Sequence, residues 1–205
     1  MLKKLLKGLV SASMVLSMAM TSVSAKQDKV VVANGTQRAY VVGDDWGCGV
    51  ARTVMTLDQK IMPKSVSGED FSVKQRTIVF GQDTTVDRKV LDAYVSDANG
   101  NKVTQPTNYV TIEMYISPDE GSPASFSLQT WRNNWADPYE LYVSINEGQE
   151  ITAQKANNKI VEINVEPAID LQDMICPQLD KWDLCNDGFT ASNGNVISYA
   201  LFAPK

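Results

Sequence analysis

The sequence has 205 residues, with 19 basic against 24 acidic side chains, a net charge of −5, and no histidine. Without histidine it can form neither a Ser-His-Asp triad nor a Cys-His pair, and it has no imidazole acid–base catalyst or His-liganded zinc site. Three cysteines are too few for a cysteine-rich zinc module. Hydrophobic residues at 43% and charged residues at 21% describe a chain that folds around an apolar core.

Lys3, Lys4 and Lys7 precede an apolar or small run from Leu9 to Met20, and Val23-Ser24-Ala25 follows. That order predicts an export signal peptide over residues 1–25, cleaved after Ala25, and a secreted protein. The apolar run is shorter than the ~20 residues a spanning helix needs. The mature chain would carry 16 basic and 24 acidic residues, a net of −8. That sign disfavours nucleic acid and anionic membrane as partners.

The rest reads as short strands broken by turns. Val30–Ala33 is a first strand ended by the turn pair Asn34-Gly35, and Arg38–Val42 is a second, ended by Gly43-Asp44-Asp45. Val50–Leu57 follows Trp46-Gly47-Cys48-Gly49. Leu57-Asp58-Gln59-Lys60-Ile61 then leads past Pro63 to Asp70-Phe71-Ser72-Val73, a strand, a short turn and a strand. There Val66 and Phe71 are expected to plug one end of the core. Phe71–Phe80 and Val90–Val95 follow, the latter running into Asp97-Ala98-Asn99-Gly100. Tyr109–Ile116 alternates, with Val110, Ile112, Met114 and Ile116 on an apolar face that belongs inside. Tyr139–Ile145 places Leu141, Val143 and Ile145 inward, and Lys159–Val165 does the same through Ile160 or Val161, Ile163 and Val165. No segment after residue 25 sustains a helical period. Short Val-, Ile-, Thr- and Tyr-rich strands at this spacing predict an all-β protein, a two-layer β-sandwich, with a small closed barrel as the alternative. Beyond Glu166 the alternation stops, so residues 167–188 read as a connector. Phe189–Leu201 reads as a fresh hairpin about Asn193-Gly194.

Several of these stretches together resemble one family. They are Asp45-Trp46-Gly47-Cys48-Gly49-Val50, the Leu57-Asp58 to Phe71-Ser72-Val73 crossing, Asp92-Ala93-Tyr94-Val95-Ser96-Asp97, Ser117-Pro118-Asp119-Glu120-Gly121-Ser122-Pro123, and Trp135-Ala136-Asp137-Pro138-Tyr139. In that order they resemble the N-terminal immunoglobulin-like domain of secreted bacterial esterases, which precedes an α/β-hydrolase domain. Cys48 stands where the family pattern leads one to expect proline. The resemblance implies an immunoglobulin-like sandwich over residues 26–166 and, over 189–205, the truncated start of a hydrolase domain. It also implies a non-catalytic role: positioning, stabilising or assembling an attached esterase-like hydrolase. The family's triad maps onto no residue, because the sequence has no Gly-x-Ser-x-Gly elbow and no histidine. No catalytic residue, metal site or cofactor is therefore expected.

Two residue sets stand out. Cys176 and Cys185, nine positions apart in an exported chain, are expected to form a disulfide. Such a bridge stabilises by roughly 2.5–3 kcal/mol in the chain-entropy model. Trp131, Trp135 and Tyr139 surround Arg132, Asn133, Asn134 and Asp137. They offer the alternative reading, a polysaccharide-binding loop in which aromatic faces stack on sugar rings and amides bind hydroxyls.

Overall fold

The computed structural model describes residues 29–204 apart from 80, 130 and 179–181; the side chains of 126, 127, 132, 182–189 and 197–204 are also outside the description. The expected signal peptide lies outside the described residues.

The chain is all-β. Its strands are β1 (Val30–Asp44), β2 (Gly47–Ile61), β3 (Phe71–Val79), β4 (Gln82–Arg88), β5 (Val90–Ser96), β6 (Thr107–Met114), β7 (Ala124–Ser127), β8 (Arg132–Trp135), β9 (Tyr139–Ile145), β10 (Ile151–Thr152), β11 (Lys159–Val165), β12 (Trp182–Thr190) and β13 (Val196–Pro204). One layer is a six-stranded sheet in the order β10-β11-β1-β2-β6-β5, and the other is β4-β3-β9. The hairpins β7-β8 and β12-β13 form two-stranded sheets of their own. The β11-β1 pairing is parallel and the rest of the large sheet is antiparallel.

One apolar cluster joins the two layers. Val50, Met55, Leu57, Ile112 and Met114 come from the large sheet, and Phe71, Val73 and Leu141 from the small one. Val110, Ile112 and Met114 are buried as the alternation requires, and Ile116 is half-buried. Each fully buried Ile, Leu or Met contributes about 1.5–3 kcal/mol relative to exposure. The chain crosses between layers from β2 to β3 through two single 3₁₀ turns, Pro63–Ser65 and Gly68–Asp70. The second is closed by a capping box between Ser67 and Asp70. Phe71 is buried there, with Val66 packed against the same cluster.

Two elements differ from the sequence reading. Asn34-Gly35 makes no turn: β1 runs unbroken through it for 15 residues. The strand changes partners at that point. Residues 30–35 pair with β11 and residues 35–44 pair with β2. Gly35 is needed because a Cβ there would collide with the carbonyl oxygen of Thr56. The last hairpin is also longer than expected, since its first strand begins at Trp182 and not at Phe189.

Residues 167–178 are bound to the sandwich, 167–169 along β9 and 173–178 along β1. Ile175 donates its N–H to the Ala39 carbonyl and accepts from the Val41 N–H. Ile169, Leu171 and Ile175 are buried. Buried Gln37 donates to the carbonyls of Leu141 at 2.7 Å and Glu166 at 2.9 Å, and accepts from the Thr53 hydroxyl. The Gln178 side chain grips both backbone polar groups of Gly43. The sandwich therefore holds the chain as far as Gln178, at the β1–β2 turn.

Candidate functional site

The β7-β8 hairpin is rooted at that same end. Val50 of β2 donates its N–H to the Gly121 carbonyl just before the hairpin, and Ala136 N–H bonds to the Pro123 carbonyl across its base. Its tip carries Leu128 and Trp131, 74% and 75% exposed. Trp131 adopts φ 56, a left-handed conformation unusual for a bulky residue and common where function constrains a turn. Trp135, 43% exposed, flanks a cleft shared with Asp137, Pro138, Asp170 and Gln172.

A buried guanidinium fixes this end. The Arg88 side chain has no solvent exposure. It donates from Nη1 to Gln75 Oε1 at 2.8 Å and from Nη2 to the carbonyls of Tyr115 at 2.8 Å and Val50 at 3.0 Å. Its Nε has no hydrogen-bond partner among the described residues and lies 3.5 Å from the Glu120 carboxylate. Burying a cation is costly unless charge and acceptors surround it, and here both sheets and the 117–121 turn supply them. Gly121, at φ 89, lies so close that a Cβ would sit 2.5 Å from Arg88 Nη2. Glycine is required there on both counts.

Tyr139 belongs to this network and not to a ligand surface, which corrects the expectation that it joins a sugar-binding loop. It is 2% exposed, and its hydroxyl donates to Gln75 Oε1 at 2.8 Å. Burial pushes its phenol well above the usual range, against the pull of Arg88. The expected aromatic trio is thus divided: Trp131 and Trp135 reach the surface, and Tyr139 is core. No sequence motif marks Arg88, a lone arginine at the end of a polar strand.

Cys48 is half-buried against the core, and burial raises its thiol pKa. Cys176 is half-buried in the segment bound along β1. The side chain of Cys185 is outside the description, so its expected bridge to Cys176 stays a proposal. The acidic turn at Asp97 is satisfied from within: Oδ1 accepts from the N–H groups of Asn99 and Asn101, and Oδ2 from the Asn101 amide. Among the described residues no group of three or more acidic or cysteine side chains is arranged to hold a metal ion.

Two facing sheets with a layer crossing after β2 define an immunoglobulin-like β-sandwich. The chain belongs to the esterase Ig-like N-terminal domain family, whose pattern matches residues 39–166. Among solved structures it is similar to the crystal structure of a thermostable esterase, with a TM-score of 0.56 and 17% identity over 87% of this chain. At that identity the likeness is one of fold. The chain spans 43% of that protein's length. No curated protein matches it in sequence.

Proposed function

We propose that this chain is a secreted, non-catalytic module that positions or assembles an esterase-like catalytic domain continuing from its connector. The observation carrying the reading is the shared end of the sandwich. The chain leaves at Gln178, beside Gly43, and the hairpin with its exposed Leu128 and Trp131 is rooted next to it at Val50 and Gly121. A domain following residue 178 starts at the end of the sandwich where that hairpin is rooted. Leu128 and Trp131 offer that domain apolar area to pack against. The family and the esterase neighbour support the class of partner. With no histidine to activate a nucleophile, the bond-breaking residues belong to the partner domain.

The test is to read the coding region beyond residue 205 and express the polypeptide it encodes with and without residues 29–178. The reading expects a Gly-x-Ser-x-Gly elbow there, ester hydrolysis by the longer protein, and a drop in its kcat/KM or Tm when the sandwich is removed. This chain alone should turn over p-nitrophenyl acetate only at the buffer rate. Equal activity, stability and assembly of the two forms, or turnover by the chain alone, would contradict it.

A further inference from the structure

The opposite end of the sandwich carries a different surface. Lys29 and Val31 at the start of β1, Asp58, Gln59 and Lys60 at the end of β2, and the 154–158 turn enclose an open cavity of about 860 Å³. Lys29 lies 14 residues from Gly43 along one strand, roughly 45 Å from the chain exit at full extension.

The cavity is positive in an acidic protein. Lys74, Lys102 and Lys159 each have a carboxylate within 4 Å. Among the described residues no such carboxylate accompanies Lys29, Lys60 or Lys155. Asp58 is the single acid among the described residues of the wall, and it accepts from the backbone and side chain of Asn34. The far wall is built rather than loose. Gln154 N–H bonds to the Lys60 carbonyl, Ala153 N–H to the Asn158 carbonyl and Lys159 N–H to the Lys29 carbonyl. Ala156 and Asn157 stand at φ 57 and 51, strain that the surrounding bonds hold in place.

The lining selects a ligand class. Three ammonium groups favour an anion, while Gln59, Gln154 and Asn158 offer amides suited to hydroxyls. Among the described residues no aromatic ring lines the cavity to stack a base. The volume accommodates a sugar unit or two. We infer that this end of the sandwich binds an anionic sugar residue of a polysaccharide, carboxylated or sulfated, independently of any attached catalytic domain.

Affinity electrophoresis of the full chain through gels containing polygalacturonate, dextran sulfate or neutral dextran tests this, with a mobility shift on duplex DNA as the control. Retardation is expected on at least one anionic polysaccharide and not on dextran or DNA; the polymer that retards identifies carboxylate or sulfate as the group read. The variant K29Q/K60Q/K155Q should lose at least about tenfold in affinity with an unchanged Tm. The charge-matched K74Q/K89Q/K102Q should bind as the unaltered protein does. No retardation on either anionic polymer, equal binding to DNA, or equal losses in the two triple variants would overturn the site.

Discussion

Arg88 shows how one side chain governs one end of the sandwich. Its guanidinium ties together β2, β3 and the residues that follow β6. Replacing it with alanine would take a donor from two carbonyls and from Gln75, which keeps Tyr139, and the cation from beside the Glu120 carboxylate. Such a loss costs about 3–5 kcal/mol, readable as a fall in urea midpoint. Lysine should fail to rescue it, because one ammonium cannot reproduce a planar fork that bonds on several sides. Asp97 acts more locally. Burial works to raise its carboxyl pKa, but hydrogen bonds from the Asn101 side chain and from the Asn101 and Asn99 backbones bring it below the usual carboxylate range. A depressed folded-state pKa stabilises fully above the unfolded value of about 3.9 and is lost as pH falls through the folded one. Asp97→Asn should therefore lower Tm at pH 7 and make its decline below pH ~4 shallower than in the unaltered protein. Parallel declines would contradict this.

At the scale of elements, the pairing change in β1 is the sensitive point. Gly35→Ala forces Cβ into the Thr56 carbonyl where β1 passes from β11 to β2. A cost of about 1–3 kcal/mol is expected, with the same substitution at exposed Gly148, where a Cβ meets nothing within 4 Å, as the comparison for left-handed strain alone. Strands with one apolar face were legible: β6 and β9 follow their alternation, while β11 breaks step between buried Ile160 and Ile163, where its pairing with β1 shifts register. The β1 continuation was not, because Asn34-Gly35 looks local while the partner holding it straight arrives some 130 residues later. β4 was silent for another reason. Its residues from Gln82 to Asp87 are exposed, so no burial stamps a pattern on them; the strand shows itself through pairing with β3 and the Arg76–Asp83 ion pair. Tyr139 was legible and misread. The parity that sends Leu141 inward sends Tyr139 inward too, but its neighbours Trp131 and Trp135 suggested a surface cluster.

For the whole molecule, the proposal is docking at the hairpin end and ligand binding at the lysine end. The export signal and the Cys176–Cys185 bridge are tested by intact mass and by alkylation with and without reductant. The expectation is a mature chain beginning at Lys26 with one thiol alkylated before reduction and three after; three alkylated without reductant would remove the bridge. L128S should change the stability of the isolated chain by no more than about 0.5 kcal/mol, as surface substitutions do. The central claim, that this sandwich holds a catalytic domain through its hairpin end, is tested most directly by amide hydrogen exchange over residues 124–135, in this chain and in the longer polypeptide carrying the catalytic domain. Slower exchange is expected in the longer protein, reversed by L128S/W131S. Identical exchange in the two proteins would contradict it.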